Sequence, residues 1–142
     1  MSPKVPIGRK TPVLPKVGKY GSVKRTVKGR TYDSGLEMLR AMRLQEAERD
    51  GKISDLRYQV EYDLIPSQKG KRWTVIKGKL AEKNRTERAV AYKADFVYRK
   101  GNVEVVEDTK GVRTAEYIIK RKLMLWLKGI NIREVENPGE PI

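Results

Sequence analysis

The chain has 142 residues, a length that suits one domain with a modest hydrophobic core. It contains no cysteine and no histidine, which excludes disulfide frameworks, thiolate metal sites, Ser-His-Asp triads and the usual zinc sites. Any metal would therefore be held by oxygen ligands, which a hard cation such as magnesium or manganese prefers. The longest purely apolar run is five residues, Leu123 to Leu127. The sequence thus predicts no membrane span and no secretory signal, and we expect a cytoplasmic protein.

The net charge of +14 is unevenly distributed along the chain. Residues 1–30 hold nine Lys or Arg and no acid, whereas residues 31–142 hold 23 basic and 18 acidic groups. A basic arm on a mildly basic domain favours a polyanion partner. DNA is the first candidate, because Lys and Arg contacts to phosphates release counterions. The alternative is a basic protein of the RNA-binding or ribosome-associated kind.

Three regions are predicted from the pattern of the sequence. Residues 1–30 should form a flexible basic arm, because their prolines and glycines break any periodicity and their apolar residues are too few to fold alone. Residues 31–136 should form the folded domain. Residues 137–142 should form a polar tail outside it.

The segment 32–52 predicts the first helix of the domain. Asp33 or Ser34 can cap it, and Glu37 stands three residues after Ser34, as in a capping box. Asp50-Gly51 should end it. The predicted apolar stripe comprises Leu36, Leu39, Met42 (or Arg43) and Ala47.

The remaining elements predict an α/β fold, a small mixed β-sheet flanked by helices. Residues 66–79 are basic and predict either a short hairpin or a mobile loop. Alternating apolar and aromatic residues predict the strands, and Gly129 should end the second helix. The predicted elements are a strand at 56–65, a hairpin of strands at 88–98 and 103–111, a helix at 114–129 and a short strand at 130–136.

Two acids are predicted to meet on one face of this hairpin. With a two-residue turn at Lys100-Gly101, Asp95 faces Val106. Side chains on one face recur at every second residue, so Asp95 and Asp108 become diagonal neighbours about 7–8 Å apart. Carboxylates at that spacing can converge on one cation.

A turn one residue longer would reverse this parity and put Glu107 beside Asp95 instead. Asp108 is the preferred partner, because it alone stands two residues before Lys110. Glu107 would then face the opposite layer or the solvent.

Two converging carboxylates repel each other and need a cation, a shared proton or a basic partner. In a phosphodiesterase site, such carboxylates hold a metal that activates water, and a lysine orients the water or stabilises the developing charge. The competing interpretation of Asp108 and Lys110 is an ordinary salt-bridged strand end. A second Asp-x-Lys sequence, at 50–52, lies in a polar turn.

This set of residues resembles the PD-(D/E)XK nuclease superfamily: a helix bearing Glu37, then Asp95, a gap of twelve residues, and Asp108-x-Lys110. The strings "SGLE" and "DTKG" resemble segments of the phage endonuclease I type of Holliday junction resolvase. The layout "YDS…Q…ADF…EDTKG…T…K" is similar to a family of small phage proteins classed as nuclease-like. The resemblance covers roughly residues 32–135.

The resemblance implies a restriction-endonuclease-like core and magnesium-dependent cleavage of DNA phosphodiesters, with manganese as the alternative metal. It makes Asp95 and Asp108 metal ligands, with Glu37 binding directly or through water and the Thr109 carbonyl adding a ligand. Lys110 would handle the nucleophilic water. The implied catalytic residues are Glu37, Asp95, Asp108 and Lys110.

The sequence departs from the superfamily pattern at two positions. The motif's proline is Ala94, and its glutamate is Asp108, one methylene shorter and able to alter the metal preference.

Further residues are weaker candidates. Gln59 is a possible accessory residue of the site or a structural amide. Lys120 lies in the apolar arc of the second helix and would reach a phosphate or snorkel to solvent. Arg113 opens that helix and could meet a phosphate at its N-terminus. A DNA-gripping loop, or a solvated basic loop, is indicated by Lys69, Lys71, Arg72, Lys77 and Lys79 with Trp73.

The expected function is that of a phage-type, metal-dependent endodeoxyribonuclease that resolves branched DNA. Resolution needs two matched cuts, so a two-fold homodimer is expected. The alternatives are a nicking, repair or recombination nuclease on duplex or flap DNA, a non-catalytic DNA-binding protein with a decayed site, and an RNA-binding protein. A phage-encoded protein would act in the host cytoplasm.

Overall fold

The structure is a computed structural model that describes residues 24–27 and 30–142. It confirms the mixed α/β class, with helices packed on a β-sheet. The helices are α1 (Gly35–Arg49) and α2 (Ala115–Lys128). The strands are β1 (Arg25–Val27), β2 (Arg30–Tyr32), β3 (Ser54–Ile65), β4 (Gln68–Ile76), β5 (Lys79–Glu87), β6 (Val90–Lys100), β7 (Val103–Thr109) and β8 (Arg133–Val135).

The central sheet has four strands in the order β3-β6-β7-β8. β3, β6 and β7 are antiparallel neighbours, and β8 pairs with β7 in parallel. A parallel neighbour needs a crossover connection, and α2 supplies it. β1–β2 and β4–β5 form separate two-stranded ribbons. None of the helices described is long and apolar enough to cross a membrane.

The two helices cover opposite faces of this sheet. Phe96 and Tyr98 of β6 pack in one buried cluster with α1 residues such as Leu44. Val97, the residue between them, packs in the other cluster with Met124 of α2. Because successive side chains of a strand point to opposite faces, the sheet is the middle of three layers.

The cap of α1 is the predicted Ser34, and α2 is capped in the same way by Thr114. The Ser34 hydroxyl accepts a hydrogen bond from the Glu37 amide at 3.1 Å. The Glu37 carboxylate reaches back to the Asp33 amide at 2.8 Å, one residue before the position a capping box would use. At α2, the Thr114 hydroxyl accepts from the Tyr117 amide.

The predicted apolar stripe of α1 is wrong in its first half. Leu39 and Met42 are 47% and 52% exposed, and Leu36 is only partly buried. Ala47 is buried, as predicted. Compared with the prediction, α1 is rotated about its axis. Its inner face contains charged residues that the sequence pattern would place on the surface. The buried residues of α1 are Glu37, Arg40, Ala41, Leu44 and Ala47.

A buried ion pair explains this rotation. Arg40 and Glu107 of β7 are both fully buried, and Arg40 Nη2 donates to Glu107 Oε2 at 3.1 Å, with a second contact through Nε. The Tyr98 hydroxyl donates to the same carboxylate at 2.7 Å. Arg40 Nη1 also donates to the carbonyls of Pro138 at 3.2 Å and Glu140 at 2.5 Å. The buried charges are therefore paired and hydrogen-bonded, as low-dielectric surroundings require.

Residues beyond both predicted ends of the domain make contacts in the structure. The tail at 137–142 packs on the fold, since Arg40 binds its carbonyls and Ile142 contacts the α1 cluster. At the other end, residues 25–27 and 30 of the predicted arm pair as β1 and β2. The rest of the arm, residues 1–23, 28 and 29, lies outside the described residues.

The β6–β7 hairpin turns one residue later than predicted. Its turn is Gly101-Asn102, so Lys100 pairs with Val103 and Phe96 with Glu107. The reason is that a two-residue hairpin turn needs a positive φ at its first position, which Gly101 supplies with φ +62°. The pairing shifts by two residues, which leaves every side chain on its predicted face.

The basic segment at 66–79 belongs to a hairpin rather than a loop. β4 and β5 pair over nine positions, from Gln68 opposite Glu87 to Ile76 opposite Lys79. The hairpin is longer than predicted because the polar residues 80–87 continue the pairing.

Loss of one partner of the buried ion pair should destabilise the fold strongly. Arg40→Met leaves Glu107 buried without its counter-charge, which should lower the free energy of unfolding by about 3–5 kcal/mol in urea denaturation. The double variant Arg40→Met/Glu107→Leu should recover most of that loss, because two apolar side chains need no charge compensation. Arg43→Met, exposed on the same helix, is the matched control and should change stability by less than about 0.5 kcal/mol. An Arg40→Met protein as stable as the wild type would contradict this role.

Candidate functional site

The predicted acids lie at a cleft of about 550 Å³ where β7 ends. The start of α1, the middle of β3 and β6, and the segment after β7 line it. Continuing the hairpin register by one pair puts Asp95 opposite Asp108, so the two are direct rather than diagonal neighbours. Glu37, Gln59 and Lys110 line the same cleft.

Asp108 is buried and both of its carboxylate oxygens have donors. The Tyr92 hydroxyl donates to Oδ2 at 2.5 Å, and Lys110 Nζ lies 3.0 Å from Oδ1. Lys110 Nζ also lies 4.0 Å from the centroid of the Tyr117 ring. The lysine ammonium is thus held between a carboxylate and an aromatic face.

Asp95 is held by the residue that follows Asp108. Its Oδ2 accepts from the Thr109 amide at 2.9 Å and from the Thr109 hydroxyl at 2.8 Å. Burial, with the nearby charges of Asp108 and Glu37, raises the pKa of Asp95 to about 8. The hydrogen bonds from Thr109 act in the opposite direction but do not offset burial.

Gln59 connects the acids on the helix and the strand. Its Nε2 donates to Glu37 Oε1 at 2.7 Å and to Asp95 Oδ1 at 3.4 Å. Gln59 has φ +51° within β3, a left-handed conformation that is unfavourable for a residue with a side chain. Burial raises the pKa of Glu37, and the hydrogen bond from the Asp33 amide opposes that shift. Strained backbone at a cluster of acids is typical of functional sites.

The chemistry of these donors fits a hard divalent cation. They are oxygen atoms, and burial together with the charges of Asp108 and Glu37 raises the pKa of Asp95, which a nearby cation would oppose. Within residues 24–27 and 30–142, no three acidic side chains converge closely enough to form a ready-made cation site. Their oxygens are instead taken up by the donors of Gln59, Thr109, Tyr92 and Lys110.

The predicted DNA-binding residues line no part of this cleft. Lys120 pairs with Glu116 at 3.1 Å, and Arg113 pairs with Glu136 at 2.6 Å and also with Glu134. Both side chains are therefore already engaged within the fold. The other predicted residues lie on the β4–β5 ribbon or in its turn: Lys69, Lys71, Arg72, Lys77 and Lys79.

Two site residues were not predicted. Tyr92 reaches Asp108 across the β6–β7 pair, and the Thr109 side chain, rather than its carbonyl, contacts Asp95. A tyrosine in a strand is normally a core residue, and nothing in the sequence distinguishes Tyr92 from the others. Strict alternation would place the Thr109 side chain on the face opposite Asp108, so the register gave no signal for its contact with Asp95 at the end of β7.

The chain belongs to the family described as Protein of unknown function (DUF1064), which matches residues 17–135. The match includes all the residues of the cleft and begins within the predicted arm. Neither a curated protein nor a solved structure matches the chain.

The raised pKa of Asp95 makes a prediction about stability and pH. Between its ordinary pKa of 3.8 and its folded pKa of about 8, the folded protein holds a proton that the unfolded chain has lost. The stability of the wild type should therefore fall as pH rises through this range. Asp95→Asn removes the titration, so in a chelating buffer it should be more stable than the wild type above pH 8, with the difference closing towards pH 4.

Chemical denaturation at several pH values measures this difference. Asp63→Asn, at an exposed acid of the same sheet, is the control and should follow the wild-type pH profile. Parallel profiles for Asp95→Asn and the wild type would show that Asp95 titrates normally.

Proposed function

We propose that the protein is a metal-dependent endodeoxyribonuclease of the PD-(D/E)XK kind that cuts branched DNA. The observation that carries this proposal is the pairing of Asp95 and Asp108 beside Lys110, whose Nζ is 3.0 Å from Asp108. Glu37 faces them from the start of α1 through the Gln59 amide. An ordinary salt-bridged strand end does not require two further carboxylates at the same cleft, those of Asp95 and the buried Glu37, or a strained strand position.

Asp95 and Asp108 would hold magnesium, or manganese, with Glu37 binding directly or through water and the Thr109 carbonyl available as a further ligand. The metal, when bound, lowers the pKa of a water molecule and stabilises negative charge on the phosphate. A cation would also oppose the effects of burial and of the neighbouring carboxylates, which together raise the pKa of Asp95.

The protein's own residues orient the reacting groups. Lys110 keeps an ammonium at the mouth of the cleft, where it can orient a water or stabilise charge on a phosphate oxygen. The Tyr92 hydroxyl fixes the carboxylate of Asp108, and Gln59 fixes Glu37 relative to Asp95. Rigid placement of this kind supplies catalysis by positioning.

DNA as the substrate is supported by charge. A cluster of acids alone repels phosphates, so a nuclease must attract its substrate elsewhere. The chain carries a net charge of +14, and its acidic residues are concentrated within residues 31–142. Positive potential over the surface around an acidic cleft brings DNA to that cleft.

Action on branched DNA is supported by an apolar surface on α2. Ile119 and Trp126 are 59% and 79% exposed, and they lie seven residues apart, on one side of the helix. A second copy packed on this side would bury them. Two-fold symmetry would then supply the matched pair of cuts that a four-way junction needs.

Cleavage assays test the site directly. With magnesium, the wild type should cut a four-way junction in preference to linear duplex or single strands, and chelator should abolish cutting. Asp108→Asn and Lys110→Met should each lower the rate by about 100-fold or more, because each removes a group that acts on the metal or the phosphate. Both should still bind the junction in chelator.

The control is Asp63→Asn, which removes one exposed carboxylate elsewhere on the sheet and should cut at the wild-type rate. Wild-type cutting by Asp108→Asn would refute the site. Equal rates on junction and duplex would leave a general duplex or flap nuclease. Binding without any metal-dependent cleavage would leave a non-catalytic DNA-binding protein.

The dimer has its own test. Light scattering at micromolar concentration should give about twice the mass of one chain, and Trp126→Glu should give one chain mass, because a charge on the apolar side opposes packing of two copies. Trp73→Glu is the matched control, since Trp73 is also largely exposed but lies on the β4–β5 ribbon. A strictly monomeric wild type would contradict the two-fold arrangement.

A further inference from the structure

The β4–β5 ribbon has two chemically different faces. Alternate residues of each strand share a face, and cross-strand partners lie on the same side. One face is centred on Trp73, opposite Glu82, and the other on Arg72, opposite Lys83. We name them the Trp73 face and the Arg72 face.

Both lysines of β4 on the Trp73 face have hydrogen-bonding or ion-pair partners within the ribbon. Lys71 Nζ lies 3.2 Å from Glu82, and Lys69 Nζ donates to the Thr86 hydroxyl at 2.9 Å. The rest of this face is apolar towards the turn, where Val75 pairs with Leu80. The predicted pair Lys69 and Lys71 therefore has partners inside the protein.

On the Arg72 face only one ion pair is present in the described residues, between Arg85 and Glu87 at 2.9 Å, at the end of the ribbon far from the turn. Arg72 and Lys83 are directly opposite each other, and like charges in that position destabilise a sheet. Within the described part of the chain, neither forms an ion pair. Their neighbours on this face include Gly70, Thr74 and Ala81. These residues have small side chains or none, so the side chains of Arg72 and Lys83 are the longest in the middle of this face. An exposed pair of like charges without an acidic partner in the described residues indicates that the two cations bind an anionic partner outside the chain.

The ribbon is also the right size and in the right place for duplex DNA. Nine residues at about 3.3 Å each give a length of roughly 30 Å, and a two-stranded ribbon can enter the major groove. No helix or other strand described in the structure packs along it. Residues 68–87 contain seven basic and two acidic side chains.

Both strands next to the ribbon lead to the acidic cleft. β3 ends at Ile65, three residues before the ribbon, and contains Gln59; β6 begins at Val90, three residues after it, and contains Asp95. The distance along β6 from Val90 to Asp95 is about 17 Å. One DNA molecule could therefore contact the ribbon and the cleft together.

We propose that the Arg72 face of the ribbon binds the phosphate backbone of duplex DNA, with Arg72 and Lys83 as its central contacts. The proposal rests on the proposed function only in taking DNA as the partner. Lys79 extends the same face towards the turn of the ribbon. It assigns DNA contact to Lys83, which the sequence did not single out, and withdraws it from Lys69 and Lys71.

The test measures the affinity of the protein for a linear DNA duplex of about 30 base pairs, which is longer than the stretch that the ribbon covers. The affinity is measured at several salt concentrations in chelator. At 3.4 Å per base pair the ribbon covers roughly nine pairs. Arg72→Gln/Lys83→Gln should bind more weakly, and the slope of log affinity against log salt should flatten by about 1.8, or 0.9 for each lost phosphate contact. The charge-conserving variant Arg72→Lys/Lys83→Arg should keep most of the wild-type slope.

The matched control is Lys122→Gln/Lys128→Gln, which removes two charges from exposed positions on α2 and should keep the wild-type slope. Thermal melting should show Arg72→Gln/Lys83→Gln to be at least as stable as the wild type, because it removes a repulsive pair. A wild-type salt slope in that variant, or equal flattening in the control, would overturn the proposal.

The outcome is separable from that of the proposed nuclease activity. Binding is measured without metal, so the result for the ribbon does not depend on whether the protein cuts DNA. Asp108→Asn should keep the wild-type salt slope while losing cleavage. If the wild type does not cut DNA but Arg72→Gln/Lys83→Gln still flattens the salt slope, the nuclease activity is refuted and the role of the ribbon in DNA binding is supported.

Discussion

The buried pair of Arg40 and Glu107 is the constraint on which the rest of the structure depends. Arg40 lies one helical turn after Glu37, and Glu107 lies immediately before Asp108. A salt bridge between them fixes the start of α1 against the end of β7, and so sets the position of one acid of the cleft relative to another. The Tyr98 hydroxyl and the carbonyls of the C-terminal segment complete the hydrogen bonds of the pair. Without those partners, two charges at this depth would be strongly unfavourable.

The cleft shows how a protein keeps carboxylates close together. Burial and mutual repulsion favour protonation of Asp95, and the structure offsets them only in part. The compensating groups differ in kind: a backbone amide and hydroxyl for Asp95, an amide side chain for Glu37, and a phenol and an ammonium for Asp108. The carboxylates of the cleft are therefore held in place by donors of the chain itself.

Sequence reasoning succeeded where the pattern is local. The cap at Ser34, the second helix with its end at Gly129, and the face shared by Asp95 and Asp108 follow from residue types and from parity, which a two-residue error in register leaves intact. It failed where tertiary contacts decide. The orientation of α1 depends on Arg40, which is indistinguishable from a surface arginine until Glu107 is known to face it. Tyr92 and the packed C-terminal segment likewise depend on partners far away in the chain. Gln59 and Lys110 were predicted as candidate site residues, and both line the cleft in the structure.

Adjacent residues of β7 divide two tasks between the two faces of one strand. Glu107 points to α1 and holds the layers together, while Asp108 points to the cleft. Both are acids, so a single-residue insertion or deletion between the hairpin turn and Thr109 would exchange their faces without changing the local composition. Such a change would disrupt the core and the cleft at once, whereas a change of two residues would preserve both faces. Within this family, natural length variation in the hairpin should therefore occur in even steps.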